Sequence, residues 1–235
     1  MVNKRKKDNT SENKKVKKSS NDKHSKQKKR KEGKKQKEKI RSIKYCGISR
    51  IYYDKTFSNF KILKNSEVYY LSLKFAKEFR NNEIWGKGLF LVGIPGSGKT
   101  HLLAAIIDYI ARLYKRYLEP GSLIYRKAGD LIAEIEDSIS STSFQDLINR
   151  YKTVPLLLLD DLERTSKELN EIIDYRYKNS LPIVMTSTKK FSRLSKTIQR
   201  TIRMRCKTGF FKVGDFWLYR CEKILKENKI KLHIT

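Results

Sequence analysis

Eight consecutive residues, Gly93-Ile94-Pro95-Gly96-Ser97-Gly98-Lys99-Thr100, fit G-x-x-x-x-G-K-[ST] without an exception. Those types in that order suit polyphosphate binding. Gly93, Gly96 and Gly98 allow the turns that bring backbone N–H groups around a β-phosphate, with Ser97 inside the same loop. Lys99 would reach the β- and γ-phosphates, and Thr100 would hold Mg²⁺. A nucleotide such as ATP is the expected ligand, and His101, next along the chain, is taken with the loop as a cofactor-binding candidate. About 60 residues on, Leu156-Leu157-Leu158-Leu159-Asp160-Asp161 reads as a buried strand ending in two carboxylates. Asp160 would join the metal shell, and Asp161 would polarise an attacking water unless it is only a turn residue. Thr188 closes the run from Ile183, where a hydroxyl could orient water or merely satisfy a turn. Arg200, Arg203 and Arg205 crowd one expected helix end with no acidic residue near them in sequence. An arginine there could stabilise phosphoryl charge in a neighbouring protomer, or complement the helix dipole.

Such groups need a scaffold that brings them to one edge. From Lys87 onward, apolar runs alternate with helical patterns, as in a parallel α/β sheet flanked by helices. Strands are expected at 89–92, 122–126, 155–159, 182–187 and 210–213. Helices are expected at 99–118, from Asp130, at 144–151, up to 179 and at 192–204. Thr165 with Glu168 has the capping-box spacing for the fourth of these. Before the sheet, 45–85 is rich in aromatics and carries a helical pattern over 66–80. Its aromatics could stack on bases or pack a helix onto the core. The expected organisation is a Lys-rich tail at 1–44, a linker and helix at 45–85, the core at 86–220 and an extension at 221–235.

Composition narrows the class. The chain of 235 residues has a net charge of +29. Residues 1–44 hold 20 Lys/Arg against 5 Asp/Glu and almost nothing apolar, so ordering the tail would bury too little to offset its entropy. Disorder is expected there, with the tail acting as a basic arm on nucleic acid or only as a solubilising segment. The remainder is also basic, with 34 against 20, which suggests a polyanionic partner. An AT-rich genome would produce a similar Lys excess. Cys46, Cys206 and Cys221 are isolated and lack metal-ligand spacing, which fits a reducing compartment. No apolar run reaches the ~20 residues of a membrane span. A cytoplasmic protein with no membrane partner is expected.

Four stretches carry a family resemblance. Cys46-Gly47-Ile48 with Asp54-Lys55-Thr56-Phe57-Ser58-Asn59-Phe60 is one, and Gly88–Leu103, with His101 after the loop threonine, is the second. The third is Asp160-Asp161-Leu162, and the fourth, most discriminating, is Ile172–Ile183 with its Tyr-Arg-Tyr core and Pro182. Together they resemble AAA+ ATPases of the DnaC/DnaI helicase-loader type, a family that includes IstB-like transposition helpers and shares its phosphate loop with DnaA. The resemblance implies an ATP- and Mg²⁺-dependent ATPase in DNA replication. Its partners would be single-stranded DNA, a replicative helicase (or a transposase) and further copies of itself in a homo-oligomer. By position, Thr188 falls at sensor 1 and Arg203 at the arginine finger, while Gly214-Asp215 and Arg220 resemble the closing segment. Two residues depart from the pattern. Thr188 stands where Asn is common, and Glu163 where Gly often follows Asp-Asp-Leu. A nucleotide-switched nucleic-acid-binding protein with little turnover is the alternative of a different class.

Overall fold

The computed structural model describes residues 45–61, 66–114, 119–189 and 191–210. In chain order the elements are helix α1 (Ser66–Lys77), α2 (Phe79–Ile84), strand β1 (Gly88–Val92), α3 (Lys99–Leu113), β2 (Leu123–Lys127), α4 (Ala128–Ser138), α5 (Phe144–Thr153), β3 (Leu156–Asp160), α6 (Lys167–Lys178), β4 (Ile183–Ser187), α7 (Lys196–Arg205) and β5 (Cys206–Phe210). Single 3₁₀ turns lie at Arg50–Tyr52, Phe57–Asn59 and Phe191–Arg193. The five strands are all parallel, in the order β2-β3-β4-β1-β5. The chain leaves β1 for one side of the sheet and later returns past it to β5. Ligands of open parallel sheets bind outside the strands' C-terminal ends, where the connections diverge in this way.

Both faces of the sheet are covered, which explains why the central strands read as continuous apolar runs. On one face, Leu89, Leu91, Tyr125, Leu158 and Val184 pack with α1, α3 and the lead-in residues Phe57 and Phe60. On the other, Phe90, Ile124, Leu157, Leu159 and Met185 meet α4, α5, α6 and α7. Most aromatics of the lead-in serve packing, whereas Tyr45, Tyr70 and Trp85 are exposed. Phe57, Phe60, Phe75 and Phe79 are buried, and Phe57 sets its ring edge-on to Tyr69 and Tyr109. The lead-in itself docks on the sheet edge, where Tyr125 N donates to Cys46 O at 2.7 Å. Gly47 permits that approach, because at φ +92° a Cβ would stand 2.2 Å from the Arg126 guanidinium. Burial pushes the Cys46 thiol up to about 11 and that of Cys206 to about 12, so both stay protonated at neutral pH.

Several expected boundaries move. The 66–80 helix stops at Lys77, because the Asn82 amide donates to Phe75 O at 3.0 Å and turns the chain into α2. Helix α3 ends at Leu113 with Tyr114 extended, short of Leu118. Asp130 is not a cap. β2 runs directly into α4 at Ala128, leaving Asp130 in the first turn, where its charge suits the dipole. The Thr165–Glu168 box is replaced by Ser166, whose Oγ accepts from Leu169 N at 3.1 Å. The helix expected at 192–204 begins only at Lys196, capped by Ser195. β5 covers Cys206–Phe210, beginning ahead of the expected 210 because it pairs with β1 from Gly88 to Val92 immediately after α7. Residues 211–213, the tail at 1–44, Gly214-Asp215, Arg220 and 221–235 lie outside the described residues. Among the described residues, no helix is long and apolar enough to cross a membrane.

Candidate nucleotide site

The loop 93–98 joins β1 to α3, with Gly96 at φ 78° and Gly98 at φ 103°, backbone angles that glycine adopts without strain. Gly93 N is tied to Ser187 O at 3.1 Å, which anchors the loop to β4. Beyond it, the first turn of α3 leaves N–H groups with no acceptor inside the helix, a ready site for anions. Lys99 folds back over the loop, its amine donating to Gly93 O at 2.8 Å and Ile94 O at 3.0 Å. Burial lowers the Lys99 pKa, against the attraction of Asp161, Asp160 and Glu163. Ser97 Oγ is buried and has no hydrogen-bond partner among the described residues, a donor in reserve within the loop. A cavity of about 750 Å³ opens above, lined by Gly96, Gly98, Lys99, Thr100 and His101 from the loop and helix. Tyr52 and Lys55 of the lead-in close one side, and Asp161, Glu163 and Thr188 the other.

Asp160 lies beneath this cavity, fully buried at the end of β3. Its Oδ2 accepts from Thr100 Oγ1 at 2.7 Å and Tyr125 OH at 2.8 Å. Oδ1 accepts from Thr186 Oγ1 and from Asp161 N at 3.2 Å. The next residue turns sharply: Asp161 has φ 52°, in the left-handed region, costing roughly 1–2 kcal/mol for a residue with a Cβ. The turn is held by Asp161 N on Thr186 Oγ1 at 3.0 Å and Leu162 N on Thr186 O at 2.8 Å. It brings the Asp161 carboxyl to the cavity wall, where burial, and then the Asp160 charge, raise its pKa. His101 lines the cavity and also reaches the lead-in. Its Nε2 lies 3.0 Å from Thr56 O, so it carries the proton, and burial lowers its pKa. The ring meets Phe60 edge-on at 5.1 Å, coupling α3 to the lead-in.

The other two candidates are placed differently. The Thr188 hydroxyl donates to the Glu163 carboxylate, and Lys189 Nζ donates to Glu163 O. Arg203 is exposed, with its guanidinium over the Phe191 ring at 5.1 Å, and it does not line the cavity of its own chain. The arginine cluster, without acidic neighbours in sequence, has one in space. Arg200 pairs with Asp174 on α6, which packing of α7 against α6 brings close. Arg205 instead spends its donors on Tyr177 O at 3.3 Å and Trp85 O at 3.4 Å. Sequence reasoning missed Tyr125, and it took the Thr186 position only as part of a polar strand end. Neither carried a signal, since their roles depend on strands β2 and β4 flanking β3.

The donor set suits a phosphate chain with a hard cation. Thr100 and Asp160 face each other, and one carboxylate with a hydroxyl is what Mg²⁺ takes alongside phosphate and water. A family model for the bacterial DnaA ATPase domain matches residues 52–212. The chain belongs to this family. The DnaA of Onion yellows phytoplasma is 31% identical over 152 residues, 62% of this chain and 29% of that protein. The replicative helicase loader DnaC of Escherichia coli K12 is 25% identical over 199 residues, 80% of this chain and 78% of that protein. A crystal structure of the DnaC helicase loader superposes with a TM-score of 0.60 at 26% identity, covering 70% of this chain and all of that one. This DnaA-family chain thus carries an AAA+ ATPase domain that binds ATP, though it spans less than a third of the phytoplasma DnaA's length.

Proposed function

We propose that the chain is an ATP-dependent replication protein of the helicase-loader type, which binds single-stranded DNA and loads or remodels a replicative helicase. The observation that carries this reading is one of extent. The DnaC match runs along 78% of that loader, whereas the DnaA match occupies 29% of the initiator. In this reading the loop N–H groups, Ser97 and Lys99 bind the phosphates, with Lys99 exchanging its contacts to Gly93 O and Ile94 O for them. Thr100 and Asp160 would hold Mg²⁺, which would supply positive charge against the phosphates. Thr100 keeps its lone pairs for the cation because its proton goes to Asp160. Asp161, turned to the cavity wall, orients the attacking water. Arg203 is exposed and does not line the cavity of its own chain, which suits action in trans, on the site of the next protomer in a homo-oligomer.

The test is ATP hydrolysis against protein concentration, with and without single-stranded DNA, in three proteins. The wild type should show a rate per protomer that climbs with concentration and DNA. Lys99→Ala should abolish nucleotide binding, and Arg203→Ala should spare binding while lowering turnover by about 10³-fold, the lower end of the arginine-finger range. Equal loss of binding in both variants would sink the trans assignment. The hydrogen bond between Thr188 and Glu163 favours a second reading, a nucleotide switch with little turnover. A flat, near-zero rate in the wild type despite tight ATP binding would select it.

A further inference from the structure

The Asp160 carboxylate stands at the end of a strand, where nothing in its own backbone would hold its two torsions. Four donors surround it, and they come from four different places. Thr100 opens α3, Asp161 N belongs to the following turn, Thr186 is on β4 and Tyr125 is on β2. The register explains the last. Lys127 pairs with Asp160, so Tyr125 lies two residues back on the same face of the neighbouring strand. Its ring is buried at 5% exposure among Leu123, Leu156 and Leu158, which fixes the hydroxyl at the same Oδ2 that Thr100 contacts. Thr186, buried on the opposite flank, holds Oδ1. The carboxylate is thus clamped between strands on both sides, with Thr100 at its open edge.

We infer that Tyr125 is a positioning residue for the metal: its hydroxyl sets the orientation in which Asp160 and Thr100 together receive Mg²⁺. The inference rests on the proposed metal role of those two residues. Tyr125 touches neither nucleotide nor cation in this account and acts only through Asp160. Partners that orient a ligating carboxylate typically control metal affinity by 10–100-fold, so the effect belongs in the Mg²⁺ dependence of nucleotide binding and not in nucleotide binding itself. Tyr125→Phe deletes one atom and keeps the ring in its core site. Thr100, Thr186 and the Asp161 N–H still satisfy the carboxylate.

The experiment titrates a fluorescent ATP analogue into the full chain, wild type and Tyr125→Phe, in EDTA and across a Mg²⁺ series. The expected result is equal affinity in EDTA and a roughly tenfold higher half-saturating Mg²⁺ concentration for the variant. An unchanged Mg²⁺ midpoint overturns the inference. A loss of affinity equal in EDTA and in Mg²⁺ also overturns it, because that is the signature of a purely structural hydroxyl. If wild-type binding itself ignores Mg²⁺, the metal role of Thr100 and Asp160 fails, and the inference falls with it.

Discussion

Glu163 illustrates how one residue changes the behaviour of its neighbours. Its carboxylate takes the only proton Thr188 can donate, and Lys189 closes over its backbone. A hydroxyl already bonded to a charged acceptor is held by a bond about twice as strong as a neutral one, so it is a poor donor to a phosphate or a water. Replacing the carboxylate frees it. Glu163→Ala should raise ATP turnover by about tenfold, the equivalent of roughly 1.4 kcal/mol of barrier, at unchanged ATP affinity. Steady-state hydrolysis beside equilibrium binding checks this. A variant no faster than wild type would mean that Thr188 has no part in the chemistry. The Tyr-Arg-Tyr motif has a different, structural residue at its centre. Arg176 is fully buried, and burial alone lowers its pKa to about 9.

At the scale of elements, Arg176 joins three pieces of the fold. Its guanidinium donates to Tyr151 O at 3.1 Å, Lys152 O at 3.0 Å and Val154 O at 2.8 Å, the carbonyls at and just past the end of α5. It also donates to Pro182 O at 2.6 Å, just before β4. The last carbonyls of any helix lack partners, and a cation satisfies both their hydrogen bonding and their dipole. Truncating the side chain to an apolar one would leave these acceptors buried and unmet. Arg176→Met should cost about 3 kcal/mol, seen as a lower urea midpoint at constant slope. A loss below about 1 kcal/mol would mean that water or local movement replaces the guanidinium. Because β4 carries Thr186, the same variant should loosen the Asp160 clamp.

For the molecule as a whole, charge is unevenly placed. The described residues hold 24 Lys/Arg against 17 Asp/Glu, and residues 191–210 contribute 6 of the cations and no acid. The greater basic excess sits in 1–44, with 20 against 5. Cations that neutralise phosphates release counterions, so each contact steepens the dependence of binding on salt. A chain beginning at Ile43 should bind single-stranded DNA more weakly than the full chain and with a flatter plot of log affinity against log salt. Equal slopes for the two chains would make the tail a bystander.

The sequence by itself determined whatever depends on local spacing. The phosphate loop is contiguous, its flanking strand and helix follow from apolar periodicity, and Asp160-Asp161 closes an unmistakable apolar run. The parallel α/β class followed from alternation alone. Boundaries at α1 and β5 did not, because a side chain from the next helix or a neighbouring strand decides them: Asn82 on Phe75 O, and β1 against Cys206–Phe210. Only the tertiary structure placed Tyr125 and Thr186 on Asp160, paired Arg200 with Asp174, and turned Thr188 toward Glu163. Those contacts join residues about 25 or more positions apart through strand order and helix packing, which no local pattern encodes.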